Sequence, residues 1–107
     1  MVANPKQVEQ QVPKPRAVDW RRVLRHVAIS RALDDLEESK LLKERKVLYQ
    51  FSARGHDLTQ VLLSTQLTGT QDGVGAYYRS RPLLLGLGLP VQEALASTMM
   101  RAGGMSD

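Results

Sequence analysis

From Trp20 onward the apolar residues return at helical spacing, and no other feature constrains the fold of this chain as strongly. Trp20, Val23, Leu24, Val27 and Ala28 set the stripe, and Ile29, Leu33 and Leu36 carry it on. Residues three and four apart share one face of an α-helix. The spacing therefore predicts a helix from about residue 19 to about residue 43. Asp19 stands where an N-cap carboxylate can accept the first free N–H groups. Asp34, Asp35, Glu37 and Glu38 precede Lys40, Lys43, Arg45 and Lys46. Charges at this spacing pair on an exposed face, so the run reads as solvated helix surface.

The rest of the chain is punctuated more often. "VLYQFSARG" (47–55) suits an extended segment reaching a turn at Gly55. "HDLTQVLLSTQLTG" sets Leu58, Val61, Leu62 and Leu67 on one side of a second helix, with Asp57 as its cap and Gly69 as its stop. "TQDG" is a turn, and "VGAYY" reads as a brief strand. Pro82 and Pro90 each suit the first turn of a further helix, and Glu93 favours the dipole of the last one. Residues 1–17 hold three of the five prolines and read as a disordered or extended arm. Residues 18–107 then form a mainly α-helical unit.

Composition narrows the chemistry. With 107 residues the chain is one domain or a piece of one. It has no cysteine, which excludes disulfides, thiolate metal sites and cysteine nucleophiles. His26 and His56 are too scattered to suggest a metal site, and no Ser-His-Asp arrangement or P-loop is recoverable. No apolar run is long enough to span a bilayer and "MVANPKQVEQQVPKP" lacks a signal-peptide core. These features lead us to expect a cytoplasmic protein. The net charge of +4 is local, because residues 1–31 hold seven Lys or Arg against Glu9 and Asp19. A small basic helical module that contacts nucleic acid is thus the alternative to an enzyme part.

"GAYYRSRP" (75–82) packs Tyr77, Tyr78, Arg79 and Arg81 ahead of the apolar run "LLLGLGLP". The guanidinium fork matches two phosphate oxygens at once, and a phenol can donate to a third. The other reading is a hydrated surface loop. Adjacent large aromatics beside an apolar run favour partial burial. The same apolar run and the Met99–Met100 pair exceed what a small fragment needs, so we expect them to pack on further protein.

Taken in order, "RALD" (31–34), "GHD" (55–57), "YYR" (77–79), "VQEAL" and "MRAGG" resemble the N-terminal part of the α-subunit, or α-half, of thiamine-diphosphate-dependent 2-oxo acid dehydrogenase E1 components. The resemblance covers roughly residues 20–107 and leans to the branched-chain, 2-oxoisovalerate type. It implies that this is the helical portion of an α/β thiamine-diphosphate-binding fold. Tyr78 and Arg79 would approach the cofactor's diphosphate, and Tyr49 and Phe51 would shape the substrate pocket. No catalytic residue is carried over. The Gly-Asp-Gly…Asn element that holds the Mg2+ ion is absent from this sequence, which implies a truncated chain that is inactive alone. Expected partners are an E1 β-subunit or β-half and a lipoyl-carrying E2 component, in a hetero- or homo-oligomer. The family's Tyr-Arg-x-His-Gly becomes Tyr78-Arg79-Ser80-Arg81-Pro82 here. Arg81 stands where that histidine would be, either as an extra cation for the pocket or as an exposed side chain.

Overall fold

In a computed structural model, residues 17–103 are described, and they form four α-helices with no strand among them. The expected arm falls outside these residues except for Ala17. Helix α1 runs Trp20–Leu36 and widens without a break into a π turn over Glu37–Leu41. Together they span nearly all of the expected first helix. Asp19 caps it as anticipated, its carboxylate accepting from Arg22 N at 3.2 Å. Arg45, in the left-handed region at φ 59°, marks the reversal after the π turn. Helix α2 spans Asp57–Gln66, α3 Arg81–Gly86 and α4 Val91–Thr98. "VGAYY" is not a strand: residues 72–77 have irregular backbone and Tyr78 begins a turn.

The core is built where α1, α2 and α3 meet. Val23 and Val27 of α1 pack on Val61 of α2, and Leu33 packs on Leu85 of α3 and Ala94 of α4. The face of α1 that is buried is therefore rotated from the expected one. Trp20 and Leu24 stay 63% and 70% exposed, while Val23, Val27, Ser30, Asp34, Glu37 and Leu41 are inside. Those positions alternate by four and three residues, which keeps them on one stripe. Two members of the supposed solvated acidic run, Asp34 and Glu37, thus lie in the core. Only Asp35 and Glu38 remain at the surface, where both pair with Arg54 rather than with the lysines of the same run.

Part of the run "LLLGLGLP" is used inside this domain. Leu83 and Leu85 are buried, and Gly86 lets α3 lie directly against Ser64 of α2. Leu87, Val91 and Met100 are apolar residues of this region left outside, Met100 the most at 79% exposure. Leu58 of α2 is half exposed, and Val61 alone of its expected stripe is fully buried. Gln60 ties α2 to α3 and to the turn ahead of α3. Its amide donates to the Arg79 carbonyl at 2.8 Å and accepts from Leu83 N at 3.2 Å, which satisfies a free N–H in the first turn of α3. Among the described residues no helix is long and apolar enough to cross a membrane.

Candidate functional site

Two loops bring four aromatic rings together. The segment after the π turn contributes Tyr49 and Phe51, with ring centroids 5.5 Å apart. The turn before α3 contributes Tyr78, 4.6 Å from Phe51, and Tyr77, edge-on to Tyr78 at 5.1 Å. Ser80 fixes this turn: its buried hydroxyl accepts from Tyr77 N at 3.1 Å while its N–H donates to the Tyr77 carbonyl. The rings wall a cavity of about 510 Å3 that Glu37, Arg81 and Thr98 also line.

Of the residues singled out in the sequence, Tyr49, Phe51 and Tyr78 line this cavity. Arg79 lies beside it. Its guanidinium carbon is 5.5 Å from the Tyr78 centroid and 5.9 Å from that of Phe51, within cation–π range. Arg79 makes no ion pair among the described residues, and its buried Nε has no hydrogen-bond partner.

Arg81 lines the cavity and is mostly buried, not exposed. It is the counter-ion of the buried carboxylates. Nη2 donates to Glu37 Oε1 at 2.6 Å, and Nη1 stands 3.8 Å from Asp34 Oδ1. Asp34 also accepts from Gln50 Nε2, Ser52 Oγ and the Ala53 N–H, so it pins the aromatic-bearing segment to α1. Burial pushes the Asp34 carboxyl above its usual range, against the Ala53 N–H and the Arg81 charge, which pull it down. Sequence reasoning missed this network. The signal was present, since Asp34 and Glu37 continue the four-three spacing of Val23, Val27 and Ser30.

Asp57 is the first residue of α2, and its Oδ1 accepts from Leu58 N. Its Oδ2 accepts from Arg31 Nε at 2.7 Å, an ion pair that ties α1 to α2. The Arg31 hydrogen bond holds the Asp57 carboxyl below the usual carboxylate range. A depressed carboxylate stabilises the fold above its unfolded pKa, near ~3.9, and that contribution is lost as pH falls through the folded value. In Asp57→Asn, the fall of Tm below about pH 4 is expected to be shallower than in the parent chain, as thermal melts across that range will show.

Elsewhere, Arg21, Arg22, Arg25 and His26 line a shallow depression at the start of α1. Arg22 is engaged with the Gly86 carbonyl. Arg21 and Arg25 form no ion pair among the described residues.

Fold and site together define a small helical domain with an aromatic-walled cavity, a buried carboxylate–guanidinium floor and an unpaired arginine at its side. No protein-family model matches the chain, and no solved structure matches it.

Proposed function

We propose that the chain is the N-terminal helical portion of the α-type half of a thiamine-diphosphate-dependent 2-oxo acid dehydrogenase E1 component, with Tyr78 and Arg79 directed to the cofactor's diphosphate. Arg79 carries this reading. A half-buried guanidinium with an unused buried Nε and no carboxylate partner lacks an anion, and a diphosphate offers oxygens suited to its planar fork. The donor set therefore fits the anionic end of the cofactor. A second support is that the stretches carrying the resemblance are bonded to one another. Arg31 of "RALD" holds Asp57 of "GHD", Asp34 holds the Ala53 N–H just ahead of Gly55, and Gln60 holds the Arg79 carbonyl.

When bound, the cofactor supplies the carbanion that adds to the 2-oxo carbon and the electron sink for loss of carbon dioxide. In this reading the chain's own residues hold the diphosphate, through Tyr78 and Arg79, and bound the substrate space, through Tyr49 and Phe51. Among the described residues no group of His, Asp and Glu could hold a metal ion. The reading assigns Mg2+ to residues outside this sequence, the acyl acceptor to a lipoyl-carrying E2 component, and the missing wall of the site to a β-subunit or β-half.

The test is decarboxylation of 2-oxoisovalerate, read by reduction of an artificial electron acceptor, on the full protein with its β partner, thiamine diphosphate and Mg2+. Arg79→Ala is expected to raise the thiamine diphosphate concentration for half-maximal rate by about 10- to 100-fold, as loss of one charge-assisted contact does. Its effect on KM for the 2-oxo acid should be small. No thiamine diphosphate binding, together with steeply salt-dependent binding to random DNA, would instead establish the basic-module reading through Arg21 and Arg25.

A further inference from the structure

The first half of α1 carries charge of one sign. Residues 20–33 hold Arg21, Arg22, Arg25 and Arg31 and no acid. Of the flanking acids, Asp34 is buried and Asp19 is occupied as the N-cap, accepting from Arg22 N. Arg22 is committed to the Gly86 carbonyl and Arg31 to Asp57. Arg21 and Arg25 are exposed and form no ion pair among the described residues. They stand about one turn apart on the helix. With Asp19, Arg22 and His26 they line the shallow depression at its start.

Apolar side chains are exposed beside them. Trp20 and Leu24, also about one turn apart, are 63% and 70% exposed, and Ala28 continues their row in the open. Each of the two precedes one of the free arginines by a single residue. An apolar row therefore runs alongside a cationic one.

These features discriminate among partners. Duplex phosphates would satisfy the arginines but leave Trp20 and Leu24 in water. Two large apolar side chains do not make the core of a protein interface, which buries about 800 Å2 on each side. An anionic bilayer accommodates both rows at once. Its headgroups meet the guanidiniums, a tryptophan ring settles at headgroup level, and a leucine reaches the upper acyl chains. We propose that the start of α1 is a docking surface for an anionic lipid membrane, with Arg21 and Arg25 on the headgroups and Trp20 and Leu24 entering the interface. None of these residues lines the aromatic cavity. The proposal therefore does not rest on the thiamine diphosphate reading, and its test involves neither cofactor nor substrate.

Trp20 is the chain's only tryptophan, so its fluorescence reads this face directly. The full chain is titrated with vesicles of phosphatidylserine and phosphatidylcholine, and with vesicles of phosphatidylcholine alone. Trp20 emission is expected to move to shorter wavelength with the anionic vesicles only, and the shift should vanish at high salt as the charges are screened. Replacing both arginines (Arg21→Gln with Arg25→Gln) should weaken vesicle binding about thirtyfold. Read by co-sedimentation, Trp20→Ala should weaken it about tenfold. Leu48→Ala, at a residue that is also 70% exposed but lies beyond the π turn, should leave binding unchanged. None of the substituted side chains is buried, so the variants keep the fold. No emission shift with anionic vesicles, equal binding to phosphatidylcholine, or a Leu48→Ala loss as large as that of Trp20→Ala overturns the proposal. Binding to random duplex DNA through the same arginines, without vesicle binding, assigns the face to nucleic acid and overturns it as well.

Discussion

Arg81→Met lowers the stability of the chain by about 3–5 kcal/mol, the range seen when one partner of a buried charge pair is removed. The side chain is only 15% exposed and serves two carboxylates that are 3% and 1% exposed. Methionine keeps most of the aliphatic volume, so the loss reports charge more than packing. Without the guanidinium, Glu37 retains Thr98, and Asp34 retains Gln50, Ser52 and the Ala53 N–H. Neither retains a cation. The Asp34 carboxyl, already pushed up by burial, then loses the Arg81 charge that pulls it down. A raised folded pKa gives stability that is present below the unfolded value, near ~4, and is lost as pH rises through the folded value. The deficit of Arg81→Met is therefore largest at neutral pH and shrinks on acidification towards about pH 4. A pure packing defect would show no such trend. Adding Glu37→Gln to Arg81→Met should recover part of the loss, because it removes one stranded charge. Urea unfolding followed by far-UV circular dichroism measures all of this. Trp20 fluorescence serves less well, since that ring is already 63% exposed in the folded chain. A cost below about 1 kcal/mol at neutral pH would show that Arg81 behaves as a surface residue.

The contrast between Arg81 and Arg79 marks what could be read from the sequence. The helices were legible because caps, prolines and apolar periodicity act locally. Asp19 caps α1, and Pro82 and Pro90 sit where α3 and α4 begin. The face that α1 buries was not legible from hydrophobicity alone. Trp20 and Leu24 are the larger apolar residues there, but the close approach of α2 and α3 selects the smaller Val23, Val27 and Ser30. A carboxylate can enter such a stripe only when a distant residue supplies the cation, and Arg81 lies 44 residues from Glu37. That partnership is a property of the fold, so Asp34 and Glu37 looked like solvated acids. The aromatic turn was easier, since Tyr77, Tyr78 and Arg79 are contiguous. Its meeting with Tyr49 and Phe51 again required the fold, through the Asp34 bonds that hold residues 50–53 against α1.

Gly86→Ala tests the helix contact that positions the turn and is expected to cost about 2–3 kcal/mol. Helix propensity argues the other way, because alanine within a helix is favoured over glycine by about 1 kcal/mol. Sterics decide the sign. A Cβ on Gly86 would overlap Ser64 Oγ and lie 2.6 Å from Ser64 Cβ. Ser64 is 5% exposed and its hydroxyl donates to the Val61 carbonyl, so neither rotation nor outward movement is free. Relief requires α2 and α3 to separate, which opens the seam beside Val61 and strains Gln60, the residue that holds the Arg79 carbonyl and the Leu83 N–H. Double variants locate the collision. Ser64→Ala removes Oγ but leaves the Cβ contact, so Ser64→Ala with Gly86→Ala should remain well below the parent chain. Ser64→Gly with Gly86→Ala transfers the methyl across the interface. It should recover most of the steric loss, less the ~1 kcal/mol of a glycine placed in α2. Denaturation midpoints of the parent, single and double variants give the coupling directly. If Gly86→Ala is neutral or stabilising, propensity outweighs contact at this seam, and the close packing of α2 on α3 is not what fixes the tyrosine–arginine turn.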